Sequence, residues 1–298
     1  MTPARAAALT LAATALAALL PLVAGDFALS LALSCLMYVA LATSWAMFSG
    51  ATRYVSLGGS AFFGLGAYAC AWTLGVLPWP LVILLGALGA ALFAGLAGAT
   101  ILHLRGTYFA VLTFGLGELT RHAVTYGEKR FAGTVCRVLT ETPSNVTVYL
   151  TVLAIAAVAL LLAIGVRASR FGLALSGIGA DELRAETLGV PTRRVKIAGF
   201  ALMAAIAGAV GAATAVRWTY IDPAAVFNPF IGFQTVLIAM VGGAQSLLGP
   251  ALAAIVFSLQ AELLRLQFPY VYMVLLGGLL IVAVLYLPRG LATLWSRA

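Results

Sequence analysis

Within the apolar stretches of the sequence, charged side chains form two pairs with a spacing of three residues. Glu118 is followed by Arg121, and Glu262 is followed by Arg265. Ionisable groups inside a membrane are the usual marks of proton or ion coupling. Both pairs stand near one end of a predicted helix, where opposite charges at i, i+3 neutralise each other. We therefore expect ion pairs at the membrane interface, which disfavours a proton-driven or sodium-driven transporter. A sodium site built from backbone oxygens is the alternative that these residues leave open.

Residue patterns for catalysis, nucleotide binding and metal binding are not found in the sequence. Neither lysine, Lys129 or Lys196, stands in the GK[ST] context of a phosphate-binding loop, so any use of ATP must depend on another subunit. We expect no enzyme activity and no bound metal or cofactor. The histidines and cysteines, which could act in catalysis or bind a metal, do not stand in an HExxH or CxxC motif or at the spacing of a catalytic triad. They are His103, His122, Cys35, Cys70 and Cys136.

The composition is that of a membrane protein. Of 298 residues, 63% are hydrophobic and only 9% are charged, whereas a soluble domain has roughly 25% charged residues. A backbone in lipid must satisfy its own hydrogen bonds, which predicts an all-α, polytopic helical bundle. The net charge of +8 does not indicate nucleic-acid binding, because no polar stretch is long enough to form a basic module.

About ten apolar segments are predicted to cross the membrane, with eight or nine as alternatives, because each is near the ~20 residues that a spanning helix needs. The segments starting at 54, 107 and 231 are rich in glycine or polar residues, and we expect some of them to be broken or re-entrant. The ten segments are 6–24, 27–48, 54–74, 81–102, 107–126, 148–166, 197–216, 231–246, 249–267 and 270–288.

The distribution of charge predicts the orientation of the chain. With the N-terminus in the cytoplasm and alternating sides, eleven of the 17 basic residues lie inside with three acidic ones, and six basic residues lie outside with six acidic ones. The net charge of +8 thus belongs to one side. This is the positive-inside pattern, and it predicts a multi-pass protein with both termini cytoplasmic.

One sizeable polar loop, residues 167–196, lies on the basic side. Asp181 is suited to cap a short helix from Glu182 to Leu188, Gly189 is suited to end it, and Pro191 prevents its continuation. The loop is either a solvated connector or a docking element for a cytoplasmic partner. The second interpretation draws support from the separately capped helix, which a simple connector does not need.

Five stretches of sequence, in matching order, resemble one protein family, the membrane permeases of bacterial branched-chain amino acid ABC importers, LivM branch. Residues 56–68, SLGGSAFFGLGAY, are similar to its SLGHAAFFGLGAY, and residues 104–118, LRGTYFAVLTFGLGE, to its LRGxYFAxxTLGxGE. The loop sequence LRAETLGVPTRRVK at 183–196 resembles xAAEALGIxxxRVK. Residues 242–250, GGAQSLLGP, resemble GGxGSLxGP, and 287–291, LPRGL, resemble FxPxGL.

The resemblance implies a role for the capped helix. In such importers a short cytoplasmic helix fits a groove on the ATPase and couples ATP hydrolysis to transport. The apolar side chains would enter the groove and the charged ones would meet its rim. The residues that would form this coupling helix are Leu183, Arg184, Ala185, Glu186, Leu188 and Gly189.

The resemblance also implies partners and a mechanism. The partners would be a second permease subunit (LivH-like) or a second copy of this chain, two cytoplasmic ATPase subunits, a periplasmic substrate-binding protein and membrane lipid. ATP binding would close the ATPase pair, and the coupling helices would follow, so that substrate passes between two permease subunits. Residues 1–298 would form one transmembrane permease domain in the bacterial inner membrane.

The translocation pathway is expected at the glycine-rich segments, because exposed backbone is tolerated in a membrane where it lines a cavity or is buried in protein. The candidate residues are Ser56, Gly58, Gly59, Phe63, Gly106, Tyr108, Thr113, Gly242 and Gly243.

The substrate is less sharply predicted than the fold. The segment at 130–137, RFAGTVCR, departs from the family's LTGGxxGL. The expected substrates are branched-chain or similar small amphipathic amino acids, with urea, amides or carboxylates as alternatives. Two other interpretations are a self-contained secondary transporter or channel, active without an ATPase, and a membrane-embedded enzyme, for which the sequence has no catalytic cluster.

Overall fold

A computed structural model describes residues 3–22, 25–104, 106–134, 136–139, 142–218 and 220–268, with positions 271, 274, 277 and 278. These residues are almost entirely helical, which confirms the predicted all-α class. A pair of two-residue strands, β1 (Arg137–Val138) and β2 (Tyr220–Ile221), is antiparallel. The α-helices in these residues are α1 (Pro3–Ala18), α2 (Asp26–Trp45), α3 (Gly59–Thr73), α4 (Trp79–Ile101), α5 (Thr107–Gly127), α6 (Asn145–Ala168), α7 (Arg170–Ala180), α8 (Glu182–Thr187), α9 (Thr192–Ala215), α10 (Pro223–Val226), α11 (Pro229–Gly242) and α12 (Gly249–Gln267).

Several of these helices are long and apolar enough to cross a membrane. The apolar part of α12 is shorter, α3 has 15 residues, and α5 has 21 residues that include Glu118 and Arg121. Together these helices make the chain a multi-pass membrane protein. By length and composition, six stretches of the described residues could span: Ala4–Leu22, Asp26–Gly50, Trp79–Ile101, Asn145–Ala168, Thr192–Ala215 and Pro223–Gly242.

The observed helices can be compared with the ten predicted segments. Nine segments coincide with a helix, and the tenth, 270–288, lies almost wholly outside the described residues. Of the three segments expected to be irregular, the first is irregular, because α3 begins only at Gly59 and residues 54–58 are not helical. The segment at 231 is a continuous helix that ends at Gly242 before a turn, so no break is found there.

The segment at 107 is also continuous, so the prediction of a break there is wrong. Helix α5 runs without interruption from Thr107 to Gly127. A single glycine inside a helix costs only about 1 kcal/mol, so the glycines within α5 do not end it. The backbone turns just before the helix instead, at Gly106, where φ is +62°.

Helix α9 forms the centre of the bundle and packs along α4 and α3. It is the most buried of the six spanning stretches. A Cβ atom added at Gly66 of α3 would overlap the carbonyl of Gly208 in α9, and one added at Gly208 would overlap the carbonyl of Gly86 in α4. These glycines allow the three backbones to touch, which matters in lipid because apolar side chains gain little from associating there.

Polar contacts divide the bundle into two ends. At one end Arg167 Nη2 donates to the Ser246 carbonyl at 2.8 Å, and Lys196 Nζ donates to the Leu102 carbonyl at 2.8 Å. The connections after α4, α6 and α11 therefore meet there, and we call this the basic end. At the opposite end β1 pairs with β2, with Arg137 facing Ile221.

Candidate functional site

Helix α8 lies at the basic end and is capped at both ends by its own sequence. Asp181 Oδ1 accepts a hydrogen bond from the Arg184 N–H at 3.2 Å. At the other end Gly189, with φ of +84°, donates to the Glu186 carbonyl, and Val190 donates to the Ala185 carbonyl. This pair of bonds is a Schellman motif, for which the left-handed glycine is suited. The short capped helix is thus confirmed, although it ends at Thr187, one residue before the predicted end.

The loop 167–196 holds a further helix that the sequence analysis missed. Helix α7 begins at Arg170 and is capped by Ser169, whose Oγ accepts from the Gly172 N–H at 3.2 Å. Its glycines, which argue against a helix by propensity, allow close packing. A Cβ atom at Gly172 would overlap the Val166 carbonyl, and one at Gly179 would overlap the Ala51 carbonyl. The signal that could have revealed α7 is the serine cap.

The residues predicted for the coupling helix divide into an outward and an inward set. Leu183 is 66% exposed and Leu188 is 84% exposed. Arg184 and Gly189 also lie on the outside. Ala185 is 5% exposed and packs in the core of its own chain. The expectation that Ala185 enters a partner's groove is therefore corrected, because the residue faces the bundle.

Glu186 is tied to the following helix. Its carboxylate accepts a hydrogen bond from Thr192 Oγ1 at 2.7 Å, and Thr192 is buried at the first turn of α9. Arg184 forms an exposed ion pair with Asp181, with Nε and Oδ2 at 3.1 Å. The first contact holds the end of α8 against α9, whereas an exposed pair of the second kind adds little stability.

Behind α8 lies a buried polar cluster that we call the Lys196 cluster: Tyr54, Glu182, Lys196 and the carbonyl of Leu102. Lys196 Nζ donates to Glu182 Oε1 at 2.6 Å, to the Leu102 carbonyl at 2.8 Å and to the Tyr54 hydroxyl at 3.2 Å. The Tyr54 hydroxyl donates to Glu182 Oε2 at 2.7 Å, and the tyrosine ring lies 4.8 Å from the ammonium. The three N–H donors of the lysine thus each have an acceptor.

The sequence analysis did not predict this cluster. The side chains of Lys196 and Glu182 are 6% and 9% exposed, although the sequence analysis considered both only as charges of the cytoplasmic side. The partners are far apart in sequence, and no spacing rule joins Tyr54 to position 182. The available signal was the placement of Lys196 at the edge of an apolar segment, where a charged residue needs a partner.

Four of the nine predicted pathway residues lie together where α3 begins. We call residues 53–58 the α2–α3 connector. Trp45 Nε1 donates to the Ser56 carbonyl at 2.8 Å, and the Leu57 N–H donates to Thr113 Oγ1 at 3.0 Å. A Cβ atom at Gly58 would lie 3.0 Å from the Thr113 carbonyl. Side chains of α2 and α5 therefore satisfy backbone groups that the interrupted helix leaves open.

The beginning of α3 also touches α11, and we call this contact the α3–α11 junction. A Cβ atom at Gly232 would lie 3.4 Å from both the Leu57 carbonyl and the Ser60 N–H. One at Gly59 would lie 3.7 Å from the Gly232 Cα. The junction has small residues on both sides, so the two helices approach through their backbones.

The other five predicted pathway residues lie elsewhere. Phe63 is fully buried and packs edge-on against Trp218, with ring centroids 6.2 Å apart. Tyr108 is 78% exposed at the beginning of α5, where Gly106 also lies. The remaining two are at the far end of α11: Gly242 and Gly243. The nine residues therefore do not form one site in this chain.

The opposite end of the bundle carries a second ion pair, whose carboxylate is buried. The Glu128 carboxylate accepts from Arg137 Nε at 3.0 and 3.1 Å and from Trp72 Nε1 at 2.9 Å. The predicted pair of Glu118 and Arg121 is present. The other predicted pair, with Glu262, depends on the Arg265 side chain, which lies outside the described part of the chain.

The long apolar helices of the bundle define a multi-pass helical membrane protein. The chain belongs to the family described as the permease component of branched-chain amino acid transport systems, which matches residues 27–284. This confirms the resemblance found in the sequence.

Two relatives extend the comparison. The chain is 28% identical over 293 aligned positions to the high-affinity branched-chain amino acid transport system permease protein LivM of Escherichia coli K12, covering 86% of this chain and 68% of that protein. It is 27% identical over 293 positions to the LivM protein of Salmonella typhimurium LT2, with the same coverage. No solved structure matches the chain.

Proposed function

We propose that this chain is the membrane-spanning permease subunit of an ABC importer that moves branched-chain or similar small amphipathic amino acids into the cell. The observation that carries the proposal is the family match over residues 27–284. Two relatives that are named for branched-chain amino acid transport agree with it. In this proposal the chain binds no cofactor and catalyses no reaction, and ATP is hydrolysed by partner subunits.

The proposed assembly contains a second permease subunit or a second copy of this chain, two ATPase subunits and a periplasmic substrate-binding protein. Residues 1–298 act as one transmembrane domain in the bacterial inner membrane, with both termini in the cytoplasm. The support for this orientation is the excess of basic residues on one side, together with the meeting of Arg167, Ser246 and Leu102 at the basic end.

Helix α8 is the proposed contact with an ATPase subunit. Leu183 and Leu188 project away from the bundle, so their apolar side chains are accessible to a partner. Arg184 and Gly189 lie on the same outward surface. Movement of the ATPase pair on binding ATP would be passed to α8, and from there to the membrane helices.

The test of the proposed function is transport by the reconstituted assembly. The chain is purified with the proteins that co-purify from its own membranes and is placed in proteoliposomes with the candidate binding protein. We expect radiolabelled leucine to be transported only when ATP is supplied on the side of the vesicle membrane that carries the ATPase. Uptake by this chain alone without ATP would overturn the proposal in favour of a secondary transporter.

Competition identifies the substrate class in the same assay. Excess unlabelled isoleucine or valine is expected to abolish leucine uptake, whereas urea, acetamide and benzoate are expected to leave it unchanged. ATP-driven uptake of one of these three compounds in place of leucine would contradict the assignment to amino acids.

The docking surface is tested by removing its apolar contacts. Replacing both Leu183→Ser and Leu188→Ser is expected to weaken co-purification of the ATPase by tenfold or more, since buried apolar anchors at interfaces contribute about 2 kcal/mol or more. The matched control is Leu173→Ser on α7, which removes a 74% exposed leucine at the same end. Equal ATPase capture by the double variant and the control would contradict docking through α8.

A further inference from the structure

The Lys196 cluster is poorly explained as a device for stability. Burying an ion pair removes two charges from water, and replacing such a pair by apolar residues of similar size is often neutral or stabilising. The side chains of Lys196 and Glu182 are nevertheless almost fully buried, with Nζ and Oε1 at 2.6 Å. A different property of the cluster is that it joins segments that are distant in sequence.

Four segments meet in the cluster. Glu182 belongs to the first turn of α8, Lys196 to α9, and the Leu102 carbonyl to the end of α4. Tyr54 belongs to the α2–α3 connector and is 7% exposed. A displacement of α8 therefore acts on the connector through the short hydrogen bond between Tyr54 and Glu182, at 2.7 Å.

The α2–α3 connector is suited to pass on such a displacement. Residues 53–57 form no helix, and the connector is short, so a displacement at one end has few backbone bonds over which it could be absorbed. Arg53, where the connector begins, has a φ of +61°, a left-handed conformation that costs a non-glycine residue about 1 kcal/mol or more. Its other end is held by the bonds of Trp45 to Ser56 and of Leu57 to Thr113.

The connector leads to the beginning of α3, where four of the predicted pathway residues lie, and so to the α3–α11 junction. Gly58 and Gly59 begin α3, and Leu57 and Ser60 approach Gly232 of α11. Because the backbones are in contact there, a small shift of the first turn of α3 changes its distance from α11. Packed backbones of this kind move between discrete arrangements rather than deforming continuously.

We infer that Glu182, Lys196 and Tyr54 are positioning residues that transmit the movement of α8 through the α2–α3 connector to the α3–α11 junction. The inference rests on the proposed function, because the movement of α8 is driven there by the ATPase. It goes beyond that function by naming the route from the docking helix to the centre of the bundle.

The first test measures ATP hydrolysed per leucine taken up by the reconstituted assembly. Two variants interrupt the proposed route from α8 to the connector. The first, Tyr54→Phe, removes only a hydroxyl. The second is a double variant, Glu182→Leu with Lys196→Met, which replaces the whole ion pair by apolar side chains. We expect each to raise the ratio about fivefold or more, the scale of a typical coupling between sites. Because the double variant leaves no unpaired charge, it is expected to fold. Its loss of thermal stability should be limited to the effect of the two polar groups that lose a partner, the Tyr54 hydroxyl and the Leu102 carbonyl.

A matched control exists at the opposite end of the bundle. Tyr149 is 1% exposed, and its hydroxyl donates to the Ala17 carbonyl at 2.9 Å. Tyr149→Phe therefore removes a buried tyrosine hydrogen bond that is not part of the route from α8 to the α3–α11 junction. The amount of ATP that this variant hydrolyses per leucine taken up is expected to equal that of the wild type. A wild-type ratio in the folded double variant would overturn the inference, whereas an assembly whose wild type shows no ATP-driven uptake would overturn the proposed function.

A second readout is independent of transport and uses the full chain in membrane vesicles. Ser60→Cys places a thiol at the α3–α11 junction, and Cys136→Ser removes the exposed native thiol. In this background we expect the maleimide labelling rate at position 60 to change about fivefold with Tyr54→Phe and to stay constant with Tyr149→Phe. Identical rates in both variants would overturn the link whatever the assembly transports.

Discussion

Two ion pairs with buried carboxylates lie at opposite ends of the helical bundle and differ in what they join. At the basic end Lys196 is bonded to Tyr54, 142 positions away in sequence, and to the carbonyl of Leu102, 94 positions away. The two ion pairs themselves are both local in sequence, with Lys196 and Glu182 14 positions apart and Glu128 and Arg137 nine positions apart. The further partner of Glu128 is Trp72, 56 positions away. The second pair fastens a local turn with help from α3, whereas the first holds together helices that are separated by much of the chain.

The pairs also differ in the exposure of the cation. The Arg137 side chain is 36% exposed, so its guanidinium reaches solvent, but the Lys196 side chain is 6% exposed. The carboxylates are both buried, with Glu128 at 2% and Glu182 at 9% exposure. Neutralising the carboxylate would therefore leave a buried, uncompensated cation at the basic end and a solvated one at the opposite end.

The largest predicted effect follows from this difference. We expect Glu182→Gln to lower the free energy of unfolding by about 3–5 kcal/mol, the usual cost of breaking a buried pair from one side. Glu128→Gln is expected to cost only about 1–2 kcal/mol, because the remaining arginine turns to water. Thermal unfolding of the purified variants in one detergent measures both.

The control for this comparison removes the cations instead. Lys196→Met and Arg137→Met each leave a buried carboxylate that still accepts from a neutral donor, the Tyr54 hydroxyl or the Trp72 indole N–H. The two variants are expected to lower the free energy of unfolding by amounts that agree within about 1 kcal/mol. If the glutamine variants were equally stable, exposure of the cation would not be what distinguishes the two ends.

The difference between the ends also shows what the sequence could and could not predict. Hydropathy located the membrane helices, because a spanning helix needs a run of apolar residues that is visible locally. The cap at Asp181 and the glycine at 189 were equally local, and the structure has both. The irregular beginning of α3 was predicted from its glycines, but the same argument was wrong for α5 and α11.

The Lys196 cluster was beyond such arguments, because its members are brought together only by tertiary packing. The burial of Ala185 is a similar case: its neighbours in sequence are exposed, and only the packing of α8 against the bundle decides which side of a six-residue helix faces inward. The family resemblance suggested the role of the segment but not the direction of each side chain.

The second prediction concerns the coupling free energy between two substitutions. This energy is expected to be smaller than the loss of unfolding free energy when a buried ion pair is broken. Tyr54→Phe and Glu182→Gln alter the same hydrogen bond, so their combined effect on unfolding should differ from the sum by about 1 kcal/mol. Tyr54→Phe and Glu128→Gln lie at opposite ends and should add within about 0.5 kcal/mol. A double-mutant cycle by thermal unfolding measures each term, and strong coupling between the two ends would contradict their independence.

The smallest predicted effect tests the cap that directs the chain from α8 into α9. Gly189 has a φ of +84°, so Gly189→Ala should destabilise the end of α8 by about 1 kcal/mol. Gly177 of α7 provides the control, because it is helical and a Cβ atom there would have no neighbour within 4 Å. Gly177→Ala should be neutral or stabilise by up to about 1 kcal/mol.

Hydrogen exchange distinguishes this local effect from a global one. In the Gly189→Ala variant, the amides of Gly189 and Val190 should exchange several-fold faster, because their bonds to Glu186 and Ala185 form the cap. The amides of α4 and the centre of α9 should keep their wild-type rates, since the Lys196 cluster still fastens the beginning of α8 to the bundle. Faster exchange throughout α9 would mean that the cap, rather than the buried ion pair, fixes α8 to the membrane helices.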